Sequence, residues 1–188
     1  RRAAGLACGP AQPIVTSSPV PDDLPLRWHR TTLDGRAAAY GETGQGPPVV
    51  FIHGWGLTSR AYAAMLPRIA RSGARVIAPA LPGFGRSDPL DGAYTFEKLA
   101  RWLRDLLDHA DVREPAFFIG HSMGGAVATA TAWHFPELVR SLVLVNSVGG
   151  QVWDTVDGPD GTTSSRDLND RPLWDWGLGL PREFLRRG

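Results

Sequence analysis

The stretch Ala116-Phe117-Phe118-Ile119-Gly120-His121-Ser122-Met123-Gly124-Gly125 decides how this chain is read. Four apolar residues run without alternation into Gly-x-Ser-x-Gly. Small residues then dominate up to Pro136, among them Ala126, Ala128, Ala130 and Ala132. That order is a strand, a sharp bend and a helix over about Met123 to Phe135. Glycines around the serine let the backbone turn without Cβ clashes, and the bend lifts the Ser122 hydroxyl above the end of the sheet. The first turn of the helix leaves unpaired N–H groups and the positive end of its dipole beside that hydroxyl. Glycine weakens a helix, so something other than helix propensity places Gly124 and Gly125 there.

Three further apolar runs resemble the first: Val49 to Ile52, Val76 to Ala78 and Leu142 to Val145. None alternates polar with apolar. Such strands need cover on both faces, which predicts a parallel sheet between helices. Between Thr95 and Ala110 the apolar residues Leu99, Trp102, Leu103, Leu106 and Leu107 form the stripe of a helix with one buried face, and Thr95 suits its N-cap. Thr58 to Ser72 reads as partly helical, with Pro67 a break or a fresh start. Arg27 to Thr32, a turn at Leu33-Asp34-Gly35, and Arg36 to Tyr40 read as a β-hairpin. The predicted fold class is α/β: a mostly parallel sheet sandwiched by helices, with an N-terminal β-hairpin. Residues 1–25, rich in Ala, Pro, Gly and Ser, read as a flexible tail, 26–150 as the core, and 151–188 as a separate segment.

Two other segments sit where strands end. His53-Gly54-Trp55-Gly56 closes the first parallel strand, and its glycines let a backbone N–H point into a pocket. A carbonyl attacked by Ser122 becomes a tetrahedral oxyanion, and each donor fixed around that oxygen is worth roughly 3–4 kcal/mol. The natural pair is the N–H of Met123, directly after the serine, and the N–H of Trp55. Pro82-Gly83-Phe84-Gly85-Arg86-Ser87-Asp88 follows the second parallel strand. It lacks the Lys-Ser/Thr ending of a phosphate-cradling loop, and no helix begins there. It reads as a structural loop bracing the site.

Composition narrows the function classes. At 188 residues the chain holds one domain; 43% hydrophobic and 21% charged residues make it globular. A net charge of +1 gives no electrostatic reason to expect nucleic acid as a partner. No apolar run approaches the roughly 20 residues that span a bilayer. A single cysteine, Cys8, excludes an internal disulfide framework. The apolar part of the N-terminal stretch is too short for an intact signal peptide, so a cytoplasmic location is expected. No metal or organic cofactor is expected.

His53-Gly54-Trp55-Gly56, Leu81-Pro82-Gly83-Phe84-Gly85-Arg86-Ser87-Asp88 and Gly120-His121-Ser122-Met123-Gly124-Gly125 resemble, in order and spacing, the motifs of the α/β-hydrolase superfamily over about Trp28 to Ser147. Within it the chain looks like carboxylesterases and lipases. Its His-Gly-Trp-Gly-Leu run is similar to that of bacterial pimeloyl-carrier-protein methyl ester esterases, and Gly-His-Ser-Met-Gly-Gly is more like monoacylglycerol lipases. The resemblance implies Ser122 as nucleophile, the Trp55 and Met123 amides as oxyanion donors, and a structural role for His53. Gly54, Gly56, Gly120, His121 and Gly124 support the motifs. Epoxide hydrolases and haloalkane dehalogenases carry Asp at the nucleophile position, so Ser122 argues against them. Two departures stand out. Ala80 replaces the family's usual Asp, and the further strands, the acid and the late histidine of the family order are missing.

Can the chain supply its own base? His134 lies 12 residues after Ser122, about 18 Å along a helix, far beyond the roughly 3 Å a base needs. His121 diverges from its neighbour on such a turn, while His29 and His109 fall on the hairpin and a surface helix. Asn146 follows the last strand, where some families place the acid. The catalytic His and acid are therefore expected beyond Gly188, and the 188 residues alone are expected to show little or no turnover. The segment 151–188, with Trp153, Trp174 and Trp176, resembles the start of a lid. The implied activity is hydrolysis of small-molecule carboxylic esters or thioesters through an acyl-serine. The alternatives are a C–C bond hydrolase or cofactor-free perhydrolase at the same serine, or a non-catalytic binding protein of the same fold. Oligomeric state is left open.

Overall fold

A computed structural model describes residues 24–148 and the backbone of 156–157 and 163–164. Most of the expected tail with Cys8, and the expected lid tryptophans Trp153, Trp174 and Trp176, lie outside the described residues. The hairpin joins β1 (Arg27–Leu33) to β2 (Arg36–Thr43). It closes over Asp34 and Gly35 at φ 47° and 76°, the two positive values that a tight hairpin turn matching the strand twist requires. β2 pairs antiparallel with β4 (Arg75–Ala80). The strands β3 (Pro48–Ile52), β4, β5 (Ala116–His121) and β6 (Val139–Val145) run parallel. The sheet order is β1-β2-β4-β3-β5-β6. Residues 156–157 and 163–164 pair as a separate antiparallel ribbon.

The predicted helices fall where the apolar stripes place them. α1 (Leu66–Ala70) starts afresh at Pro67, after a 3-10 turn over Ser59–Tyr62. α2 (Phe96–His109) is capped by the Thr95 hydroxyl, which accepts the Lys98 N–H. α3 (Met123–His134) ends before Pro136. The centre of the sheet explains its unalternating strands. Val50 and Ile52 of β3 belong to the core cluster that holds Leu99, Leu103 and Leu106 of α2 and Val127 of α3. Val49 and Phe51 instead join Leu66 and Ala70 of α1 on the other face. Burying each such aliphatic side chain is worth about 1.5–3 kcal/mol. No helix among the described residues is long and apolar enough to cross a membrane.

β6 departs from expectation. The unbroken apolar run Leu142 to Val145 predicted cover on both faces, yet Val143, Leu144 and Val145 are 49%, 49% and 41% exposed. The reason is position. Among the described residues β6 is the edge of the six-stranded sheet, paired only with β5. The described chain thus holds a partial version of the fold.

Candidate active site

Ser122 sits between β5 and α3 at φ 53° and ψ −120°, a left-handed conformation that disfavours every residue except glycine. The surrounding backbone holds it there. Its N–H donates to the Val145 carbonyl at 3.0 Å, and its carbonyl accepts the N–H groups of Gly125 at 3.0 Å and Val148 at 3.3 Å. The motif glycines supply space. A Cβ on Gly120 would lie 2.5 Å from the Gly124 carbonyl oxygen and from the Gly125 Cα. A Cβ on Gly124 would strike the Ile52 carbonyl and come within 2.7 Å of the His53 carbonyl oxygen. Without side chains at these two positions α3 can lie against the backbones of β3 and β5, and the bend follows. Ser122 itself is half-buried, and its hydroxyl makes no hydrogen bond with a described residue.

The turn after β3 packs directly against this bend. A Cβ on Gly54 would lie 3.1 Å from Ser122 Cβ and 3.1 Å from His121 Nδ1, so a side chain there would press the two turns apart by a few tenths of an ångström. His53 fixes the turn from below. It is fully buried; Nδ1–H donates to the Gly54 carbonyl at 2.9 Å, and Nε2 accepts the Leu81 N–H at 3.0 Å. A carbonyl on one nitrogen and an N–H on the other leave one arrangement, neutral imidazole with its proton on Nδ1. Burial pushes its pKa below the usual imidazole value, partly opposed by the Gly54 bond. Phe84 meets both His53 and Trp55 edge-on, at 5.4 Å and 5.3 Å between ring centres. Gly56, at φ 70°, completes the turn, and Leu57 N–H donates to the Gly54 carbonyl at 3.3 Å. The amides of Trp55 and Met123 have no hydrogen-bond partner among the described residues.

The loop Pro82 to Asp88 ties β4 to β2. The buried Ser87 hydroxyl donates to the Ala80 carbonyl at 2.6 Å and accepts the Ala39 N–H at 3.0 Å; Asp88 Oδ2 accepts the Ala37 N–H at 2.7 Å. Its hydrogen bonds are those of a brace.

All five histidines of the sequence are placed, and none hydrogen-bonds the Ser122 hydroxyl. His29 stacks on Tyr40 and faces Glu42 at 3.2 Å. His109 Nε2 lies 2.6 Å from the Thr31 hydroxyl. His134 ends α3 beside Phe135. His121 Nδ1 is 2.8 Å from the Tyr62 hydroxyl. Burial raises the Tyr62 pKa, with the Gly54 backbone pulling the other way. Sequence reasoning missed Tyr62, which ends the 3-10 turn 59 positions before its partner. It also missed the Val145 carbonyl that anchors Ser122, because backbone partners across a sheet leave no trace in residue identity. Asn146 follows β6 at φ 43°.

Comparison with known proteins fits this geometry. The α/β hydrolase fold family matches residues 47–179. A non-heme chloroperoxidase of Kitasatospora aureofaciens is 38% identical over 132 residues, which cover 70% of this chain and 48% of that protein. The pimeloyl-(acyl-carrier protein) methyl ester esterase of Shewanella woodyi is 39% identical over 104 residues, 55% of this chain and 37% of that one. Among solved structures, the epoxide hydrolase CorEH superimposes with a TM-score of 0.64 at 27% identity, covering 72% of this chain and 47% of its own. The chain spans less than half the length of these proteins. With a glycine-framed bend after β5 packed against the turn after β3, and a family match over most of its length, the chain belongs to the α/β hydrolase fold family.

Proposed function

We propose that the chain carries the nucleophile and oxyanion half of a serine hydrolase acting on small carboxylic esters or thioesters. The observation that carries this reading is the Ser122 bend: a strained, half-buried serine whose hydroxyl has no partner among the described residues, packed against the Gly54 turn. Ser122 Oγ would attack the carbonyl carbon while the C=O electron pair moves onto oxygen. The Trp55 and Met123 amides would receive that charge. The alcohol or thiol would leave with a proton, and water would then cleave the acyl-serine. The five histidines are engaged elsewhere. The base that takes the Ser122 proton would therefore come from outside these 188 residues.

The test has two arms. Removing the triad base leaves only oxyanion stabilisation and binding, which lowers turnover by orders of magnitude. The 188-residue chain should therefore hydrolyse p-nitrophenyl esters barely above background and react slowly with a fluorophosphonate. Rapid stoichiometric labelling of Ser122 would show that a base is already present. In a full-length homologue, Ser122→Ala at the equivalent position should abolish ester hydrolysis and leave the fold intact; unchanged activity would reject the assignment. The chloroperoxidase relative favours a second reading, a cofactor-free perhydrolase at the same serine. Profiling the homologue with esters against peracid formation separates the two.

A further inference from the structure

Beside the C-terminal end of β4 the surface opens into a cleft of about 450 Å³, its solvent-open mouth included. Arg30 of β1, Arg60 of the 3-10 turn and Arg86 of the loop after β4 all line it, with Trp28, Thr58 and Ala80 between them. We propose that this cleft binds a phosphate group, either free or carried on a small organic body.

The argument starts from missing counter-charges. Among the described residues, Glu42 pairs with Arg75 at 2.6 Å and faces His29 at 3.2 Å, Asp91 pairs with Arg36, and Asp88 accepts the Ala37 N–H. Among the described residues Arg30 and Arg86 have no ion pair, and the Arg60 guanidinium lies over the face of Trp28, 4.2 Å from the ring centre, with no carboxylate partner. Three arginines lining one cleft with no carboxylate partner among the described residues make it a site that favours an anion. The small Ala80 methyl adds no charge and fills little of the space. The Ser59 hydroxyl already donates to the Pro79 carbonyl; the Thr58 and Tyr40 side chains on the same lining carry further neutral hydroxyl donors. Three planar forks suit a dianion with three outer oxygens better than a monocarboxylate with two. None of Gly54, Trp55, His121, Ser122 or Met123 lines the cleft, so the proposal stands apart from the hydrolytic reading.

Calorimetric titration of the 188-residue chain at low salt, with inorganic phosphate, phenyl phosphate and benzoate, tests it. Saturable binding of a phosphate probe, stronger than benzoate and weakened by added salt, is expected. Tighter binding of phenyl phosphate assigns an organic ester; equal or tighter binding of inorganic phosphate assigns the free ion. Arg60→Gln and Arg86→Gln, both at exposed positions, should each weaken binding about tenfold. Ala80→Asp should abolish it by placing a carboxylate inside the cleft. Arg68→Gln, on exposed α1 surface, should change nothing. No saturable phosphate binding, benzoate binding as tightly as phosphate, or a loss in Arg68→Gln equal to that in Arg86→Gln would overturn the proposal. Thermal melts confirm that each variant folds, and if Ala80→Asp does not, the arginine variants decide.

Discussion

The bends that end β5 and β6 stand side by side, His121 opposite Val145, yet they are built in different ways. At the end of β5 every backbone partner of Ser122 is fixed, and two glycines leave no slack between α3 and the strands beneath. At the end of β6 the chain turns through Asn146 with three apolar neighbours open on the surface. The contrast shows that the Ser122 bend is set by glycines at fixed offsets and by backbone bonds to the neighbouring strand. On the proposed serine-hydrolase reading, the acid and base would have to arrive from distant parts of the chain and be held by packing.

The largest expected effect tests how rigid the β5 side is. Gly124→Ala would drive a Cβ into the Ile52 and His53 carbonyls, and backbone cannot yield as a flexible side chain can. A loss of about 3 kcal/mol or more is expected in urea denaturation, towards the upper end for overpacking. A loss under 1 kcal/mol (about a fivefold change in the ratio of folded to unfolded protein) would mean that α3 floats over β3. His53→Ala should cost somewhat less, about 2–3 kcal/mol, by leaving the Leu81 N–H unpaired and opening a cavity. Its pH dependence is the sharper readout. The unfolded chain protonates this imidazole near pH 6.5, whereas burial in the fold resists the proton. Below that pH the unfolded state binds more protons and stability falls; above it the contribution is constant. The native protein should thus weaken from about pH 6.5 towards pH 5. His53→Ala should lose that part of the slope, and an identical slope in both proteins would place the titration elsewhere.

These same residues show what the sequence could and could not reveal. The strand–bend–helix around Ser122 was legible because its causes are local: an apolar run, glycines at fixed offsets and small residues after them. Thr95 as a cap and the Leu99 to Leu107 stripe were legible for the same reason. The exposure of Leu144 was not, since an edge strand and a central strand share one composition, and only the order of strands tells them apart. Tyr62 at His121 and three arginines around one cleft are likewise products of long-range folding. Arg30, Arg60 and Arg86 lie far apart in the chain, in segments with no common pattern.

A smaller effect, opposite in sign, concerns strain. Ser122 occupies a region that costs a non-glycine residue about 1–3 kcal/mol. Ser122→Gly removes that strain, but it also frees the unfolded backbone, which returns up to about 1 kcal/mol. The net expectation is a stabilisation of about 1 kcal/mol by thermal or urea unfolding, with all fluorophosphonate labelling at this position lost. A destabilised Ser122→Gly would show that the serine side chain contributes to the fold, and the bend would then be structural.

The smallest expected effect bears on the other side of the comparison. Leu144 of β6 lies opposite Gly120 in the sheet but is 49% exposed, so little apolar contact is lost when it is replaced. A lysine stem can lie along the same surface with its ammonium in water, and Leu144→Lys should alter stability by no more than about 0.5 kcal/mol. Ile52→Ala on central β3, fully buried, should cost about 2–5 kcal/mol in the same assay. An apolar edge strand is also a template for a second chain, so the lysine should reduce any concentration-dependent association seen by sedimentation. A loss above 2 kcal/mol at position 144 would mean that β6 is covered in solution, and the two strand ends would then no longer differ in kind.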